Sequence, residues 1–134
     1  IRETRFMQAA ADAKTDVSLI RPGSTSYQTG VLAARKLLSQ PLRPDGVFCV
    51  TDLIACGFID AARHEFGLRI PQDLCVIGFD DIEQASWLGY QLTTFSQPLA
   101  EMAQAACELL LSPDTQRPES RVFDARLVKR GTLR

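Results

Sequence analysis

The stretch from residue 46 to residue 79 constrains the fold more than any other part of the chain. It places an apolar run, GVFCV, before a helix-forming segment that contains Ile54, Phe58 and Phe66, and a second apolar run, LCVIGF, after it. Both runs are continuously apolar rather than alternating, which is typical of strands in a parallel sheet with two covered faces. Parallel strands joined in this way have a right-handed crossover. The sequence therefore predicts an α/β fold, a parallel sheet with helices on both faces.

Further helices and strands are predicted on either side of this unit. They are helices at 1–13, at 25–39 and from Pro98 onwards, and strands at 17–20 and 121–128, the last at a sheet edge. Thr25 and Gln28 resemble a capping box at the start of the second helix. The residues expected on the buried face of the Pro98 helix are Leu99, Met102, Ala103, Ala106, Leu109 and Leu110. Residues 112–120 are expected to form a polar loop.

Composition excludes several classes of protein. A chain of 134 residues suits one domain or part of one, and 46% hydrophobic residues indicate an ordinary globular chain. The net charge of -1, without a basic stripe, gives this segment no nucleic-acid footprint of its own. There is no apolar run long enough for a membrane span, so no membrane partner is expected. Four cysteines without Cys-x-x-Cys spacing and a single histidine predict free core thiols and no metal site.

Three polar clusters follow the predicted strands. Residues 22–26 follow the first strand, Thr51 and Asp52 the second, and Asp80 and Asp81 the third. If the strands are parallel neighbours, all three clusters face one cleft at the carboxyl edge of the sheet, where ligands bind in open α/β folds. The alternative for each acidic residue is helix capping, which we favour for Asp52, whereas Thr51 suits either role. No nucleophile–base arrangement and no Gly-rich phosphate loop is visible, so we expect neither an enzyme nor a cofactor.

Three motifs in a fixed order resemble the lactose repressor/galactose repressor family of bacterial transcription regulators. They are the strand end GFDD, the connection LTTFSQP and the terminal basic segment LVKRGTLR. The resemblance covers essentially the whole chain and implies the C-terminal lobe of a two-lobed, type I periplasmic-binding-protein-like fold, incomplete in this chain. On that basis residues 1–92 form the C-terminal lobe, and residues 93–134 form a crossover and a segment shared with the other lobe. The N-terminal lobe and a helix-turn-helix domain are expected outside this chain.

The resemblance also implies an effector site. Asp80, the first aspartate of GFDD, corresponds to the usual acceptor for ligand hydroxyls, and Arg2 corresponds to an arginine that contacts the ligand. Thr51 stands where the family has an asparagine. Thr25, with Tyr27 two positions on, stands where an aromatic ring often stacks on the ligand. A carboxylate facing an arginine suits a sugar or related polyol, so we expect Asp80 to bind the effector and Asp81 to have a capping or structural role beside it.

The family implies partners as well as a ligand. It implies a cytoplasmic homodimer, a repressor that binds operator DNA through the helix-turn-helix domain and responds when effector binding shifts the lobe arrangement. The expected dimer contacts are Cys56, Ile59, Trp87 and Leu88. The alternative is a periplasmic sugar-binding protein of a transport system, which shares the fold. Free cysteines and the GFDD and LTT motifs favour the regulator.

Overall fold

Two helices come first in the chain, and strands and helices alternate after them. A computed structural model describes residues 2–111 and 120–134, with the backbone alone at Arg2. The helices are α1 (Arg2–Asp12), α2 (Tyr27–Leu38), α3 (Asp52–His64) and α4 (Leu99–Leu111), and a 3₁₀ helix spans Glu83–Ser86. The strands are β1 (Gly46–Phe48), β2 (Cys75–Ile77), β3 (Thr94–Ser96) and β4 (Arg126–Val128). Most of the predicted loop 112–120 lies outside the described residues.

The sheet is parallel where the sequence predicted it. Strands β1 and β2 pair in parallel, with Val47 opposite Val76, and α3 connects them. On the other side of β2, the chain before and within β3 continues the parallel arrangement through single bridges, Ile77 with Thr93 and Asp80 with Ser96. The predicted α/β unit is therefore confirmed.

The core lies between this sheet and the helices α2 and α3. Its fully buried side chains include Leu38, Phe58, Ile59, Leu74 and Val76. The opposite face of β1 is covered by α1, whose Phe6 ring stacks on Phe48 with 5.0 Å between centroids. Because neighbouring strand residues point to opposite faces, helices lie on both faces of the sheet, as predicted.

Two local predictions before β1 are wrong. Residues 17–20 do not form a strand; together with β1 they line a cavity of about 790 Å³ instead of pairing with that strand. The capping box at Thr25 and Gln28 does not form either. Helix α2 starts one residue later, where the Ser26 hydroxyl accepts a hydrogen bond from the Thr29 amide at 3.0 Å.

The C-terminal elements differ most from expectation. The predicted buried face of α4 is wrong for this chain, since only Ala105 of that helix is buried and Leu110 is 84% exposed. The reason is that α4 leaves the core after β3 and has no extensive contact with another helix or strand among the described residues. Strand β4 is shorter than predicted and pairs antiparallel with β3, at an edge. No helix of the described ranges has the length and apolarity needed to cross a membrane.

Candidate functional site at the strand ends

The carboxyl ends of β1 and β2 meet, as a parallel sheet requires. The turn that follows β2, residues 79–82, is termed the strand-end turn. It contacts the first residue of α3, because the Asp52 amide donates to the Phe79 carbonyl at 2.8 Å. The polar pairs that follow the two strands therefore lie together, as predicted. The third predicted cluster, 22–26, instead contributes to the wall of the cavity beside β1.

The strand-end turn has an unusual backbone. Asp80 has a φ of 119° and Asp81 a φ of 57°, both in the region that non-glycine residues seldom adopt. Such residues persist only where the surrounding contacts fix them. The segment 93–95, which runs parallel beside the turn, provides two of these contacts. The Gly78 amide donates to the Thr93 carbonyl at 3.0 Å, and the Asp80 amide donates to the Phe95 carbonyl at 2.9 Å.

The two adjacent aspartates have separate partners. Asp80 Oδ1 accepts a hydrogen bond from Gln97 Nε2 at 2.9 Å. Asp81 Oδ1 lies 2.7 Å from Arg130 Nη2 in a largely buried ion pair, with side-chain exposures of 22% and 18%. Neither residue caps the following 3₁₀ helix, whose N-cap is Ile82, so the capping alternative is wrong. Asp81 has the structural role expected of it.

Asp52 is buried, and each oxygen of its carboxylate accepts a hydrogen bond. Oδ1 accepts a hydrogen bond from the Thr94 hydroxyl at 2.5 Å, and Oδ2 accepts one from the Ile82 amide at 3.0 Å. The carboxylate passes directly over Gly78, where an added Cβ would lie 2.1 Å from Oδ1. The expectation that Asp52 caps its helix is wrong, because the preceding residue does so and Asp52 faces the strand-end turn.

Thr51 is the N-cap of α3. Its hydroxyl accepts a hydrogen bond from the Ile54 amide at 3.5 Å, and its backbone is extended. The side chain is half-buried at the end of β1, next to the strand-end turn. An effector contact by Thr51 stays a prediction. The Arg2 side chain lies outside the described residues, so its role also stays a prediction.

The two residues predicted near the ligand ring lie apart from the strand-end turn. Thr25 is exposed and lines the cavity beside β1. Tyr27 begins α2, and its hydroxyl donates to Asp60 Oδ2 on α3 at 2.7 Å. This hydrogen bond to a carboxylate, helped by burial, raises the pKa of Tyr27 to about 12. The structure does not bring either residue to Asp80, and their ligand contacts stay predictions.

An open aromatic cleft adjoins the strand-end turn. Phe79 and Phe95, with ring centroids 5.8 Å apart, contribute to a cleft of about 550 Å³. The other residues that line it are Arg5, Phe6, Phe48, Ile77 and Ala125. The aromatic rings of this cleft give a surface that can pack against the apolar side of a small ligand ring.

Sequence reasoning missed two partners of the aspartates. Gln97, which holds Asp80, lies in the quoted segment LTTFSQP, and Arg130, which holds Asp81, lies in LVKRGTLR. The available signal was a side chain that can donate hydrogen bonds, in each of two segments already identified as motifs. It could not be used, because nothing in the local sequence pairs residues 17 or 49 positions apart.

The residues predicted at a dimer contact fall into two groups. Cys56 and Ile59 are buried within the chain itself, at 2% and 0% exposure, so they contribute to its own core. Trp87 and Leu88 are 49% and 95% exposed on the loop after the 3₁₀ helix. All four cysteines are free thiols, as predicted, but the expected core position is wrong for Cys107, which is exposed on α4. Burial raises the pKa of Cys49 to about 12.

Comparison with known proteins assigns the fold to a family. The model of the periplasmic binding protein-like domain matches residues 1–133. The HTH-type transcriptional repressor PurR of Vibrio cholerae is 37% identical over 134 residues, which cover 96% of this chain and 40% of that protein. The ribose operon repressor of Haemophilus influenzae is 48% identical over 85 residues, which cover 63% of this chain and 25% of that protein.

A solved structure gives the same result. The LacI family transcriptional regulator from Arthrobacter, in complex with lactose, has a TM-score of 0.86 and 28% identity, covering all of this chain and 50% of that one. The fold and the strand-end site therefore define a periplasmic binding protein-like domain, of which this chain is a part. Within that class, the chain belongs to the lactose repressor/galactose repressor family of transcription regulators. It spans half or less of the length of these relatives, which are regulators rather than transport proteins.

Proposed function

We propose that this chain is the C-terminal part of the effector-sensing region of a bacterial DNA-binding regulator, a repressor. The single observation that carries the proposal is the match to a transcriptional repressor over 96% of this chain. In the proposed protein, operator DNA is bound by a helix-turn-helix domain that is not part of this chain. The regulator acts in the cytoplasm.

The proposed effector is a sugar or a related polyol, and Asp80 is the main residue of this lobe that binds it. A carboxylate offers about four acceptor positions, and Gln97 uses one oxygen of Asp80 at 2.9 Å. Adjacent hydroxyls of a sugar can donate to this carboxylate, and the Phe79 and Phe95 rings are proposed to support the apolar face of the sugar. Thr51 and Arg2 are proposed as further contacts, and Arg2 would balance the charge of Asp80.

The proposed mechanism is a population shift between arrangements of two lobes. Residues 1–92 form the C-terminal lobe, and residues 93–134 carry the crossover connections through β3 and β4. Asp80 bonds to Gln97 on one connection, and Asp81 bonds to Arg130 on the other. An effector that contacts Asp80 and the opposite lobe would favour one lobe arrangement and so change the operator affinity of the dimer.

The experiment combines ligand binding with operator binding by the full-length protein. Thermal unfolding with D-ribose and lactose, two probes chosen from the relatives above, should show a raised midpoint for at least one sugar. The same sugar should change the mobility-shift titration of the protein on the promoter region of its own gene. DNA binding without any response to sugars would reject the effector class, and absence of DNA binding would reject the regulator.

A further inference from the structure

Asp52 lies at the start of α3, but its side chain contacts the strand-end turn. We propose that Asp52 is the positioning residue of the effector site, because its carboxylate fixes the strand-end turn that presents Asp80. Asp52 and its partners Phe79, Ile82 and Thr94 are termed the Asp52 clasp. The inference rests on the proposed effector role of Asp80.

The first argument is that Asp52 holds the turn at both ends. Its amide donates to the Phe79 carbonyl at 2.8 Å, and its Oδ2 accepts from the Ile82 amide at 3.0 Å. The two residues between these contacts are the ones with positive φ. Since neither is glycine, their conformation requires external support, which the Asp52 clasp supplies from α3.

The second argument is that the same carboxylate connects the turn to the crossover. Oδ1 accepts from the Thr94 hydroxyl at 2.5 Å, and the residues on either side of Thr94 pair with the turn and with β2 through backbone hydrogen bonds. Asp52, Thr93 and Thr94 are each fully buried. Both hydrogen bonds hold this buried carboxylate in place, because the loss of either one leaves a desolvated charge with less compensation.

The third argument is steric. Gly78 precedes the turn, and a Cβ there would lie 2.1 Å from Asp52 Oδ1 and 3.0 Å from Leu92 Cδ2. Only a glycine leaves room for the carboxylate to reach both partners. The glycine before the Phe79–Asp80–Asp81 sequence is therefore required by the clasp.

The test compares four variants at Asp52 and Thr94 with one control variant, all in the full-length protein. Asp52→Asn can keep both hydrogen bonds, since its oxygen can accept from the Ile82 amide and its NH₂ can donate to the Thr94 hydroxyl. Asp52→Ala removes both. Thr94→Val removes the hydrogen bond from the Thr94 hydroxyl to Asp52 with little change in side-chain shape. Thr94→Ser keeps a hydroxyl that can donate this bond. Asp73→Asn removes an exposed carboxylate remote from the turn, bonded to Arg69, and is the control.

The readouts separate position from stability. Amide hydrogen exchange at Ile82 and the HN–Hα couplings of Asp80 and Asp81 report the turn, and calorimetric titration with D-ribose reports the site. We expect Thr94→Val to remain folded, with Ile82 exchange faster by about 10-fold and ribose affinity lower by about 5- to 20-fold, the effect of one lost hydrogen bond to a charge. Thr94→Ser, Asp52→Asn and the control should stay close to wild type.

The outcomes distinguish this inference from the proposed function. If Asp52→Ala does not fold, Thr94→Val decides the question. Unchanged exchange, couplings and affinity in Thr94→Val would overturn the positioning role. Wild-type protein that does not bind D-ribose would count against ribose as the effector, whereas an altered turn in Thr94→Val would still support the role of the clasp.

Discussion

The two adjacent aspartates of the strand-end turn show how neighbouring charges divide their roles. Asp80 is hydrogen-bonded to a neutral amide, Gln97, and Asp81 is paired with the guanidinium of Arg130. The ion pair with Arg130 fixes Asp81 within the fold, and the amide of Gln97 helps to orient Asp80. The motif itself was evident in the sequence. The division of roles was not, because it depends on contacts made across the fold.

Arg130 is predicted to stabilise the folded chain. Arg130→Met leaves the Asp81 carboxylate largely buried without its cation, and also removes the bond to the Leu92 carbonyl at 2.9 Å. We expect the free energy of unfolding to fall by about 3 kcal/mol, measured by urea denaturation. Arg69→Met, which breaks an exposed pair with Asp73, is the matched control and should change stability little. Equal effects of the two substitutions would show that burial of the Asp81 pair is unimportant.

At the scale of elements, the sequence correctly predicted the helices and strands that depend on local hydrophobic periodicity. The β1–α3–β2 unit and the four helices follow from apolar spacing, which acts locally. The predictions of a strand at 17–20 and of a buried face on α4 failed because both depend on packing against another element. Among the described residues, 17–20 pair with no strand and α4 has no extensive contact with another helix or strand. The Asp52 clasp was missed for a related reason. A local reading of an aspartate at a helix start favours capping over a contact 42 residues away.

The packing of α2 on α3 depends on two glycines. A Cβ at Gly57 would lie 2.0 Å from the Tyr27 carbonyl oxygen, and a Cβ at Gly30 would lie 2.0 Å from the Ile54 carbonyl oxygen. Both obstacles are backbone, so the helices would have to separate. Gly57→Ala is expected to lower the free energy of unfolding by about 3 kcal/mol, despite the higher helix propensity of alanine.

Gly89 provides the control for this prediction. An added Cβ there meets no atom within 4 Å, so Gly89→Ala should change stability by less than about 0.5 kcal/mol. Both variants can be measured by urea denaturation. A Gly57→Ala protein as stable as wild type would contradict the close approach of α2 and α3.

For the molecule as a whole, the incomplete contacts of the C-terminal segment agree with its place in a larger domain. Helix α4 exposes Leu99, Leu110 and Leu111, while the chain after β4 returns to β2 through the Val76 amide, which donates to the Thr132 carbonyl at 3.0 Å. The chain after β4 is thus fixed against β2. Helix α4 has the apolar surface that a second lobe would cover.

Stability should decline at alkaline pH. Burial raises the pKa of Cys49 from 9.0 to about 12, so between these values the unfolded chain loses a proton that the folded chain keeps. The contribution of this thiol to the free energy of unfolding is constant below pH 9. It falls by up to about 1.4 kcal/mol per pH unit as the pH rises above that value. Urea denaturation from pH 8 to 10.5 should give a shallower decline for Cys49→Ala. Parallel curves for both proteins would contradict the burial of this thiol.

Association of two copies is predicted to use the loop after the 3₁₀ helix. Leu88 is 95% exposed beside Trp87, so Leu88→Glu should weaken dimers by about 10-fold or more without loss of folding. Leu42→Glu, at an 88% exposed leucine on another loop, is the matched control. Sedimentation velocity measures both. A dimer unaffected by Leu88→Glu, or equally weakened by Leu42→Glu, would place the interface elsewhere.

The most direct test of the account is the affinity of Asp80→Ala for a sugar that binds the wild-type protein, measured by calorimetric titration. Loss of charged hydrogen bonds to ligand hydroxyls should weaken binding by about 10- to 100-fold. Asp73→Ala, which removes an exposed carboxylate, should bind as wild type does. Equal affinity of Asp80→Ala and wild type would contradict the assignment of the strand-end turn as the effector site.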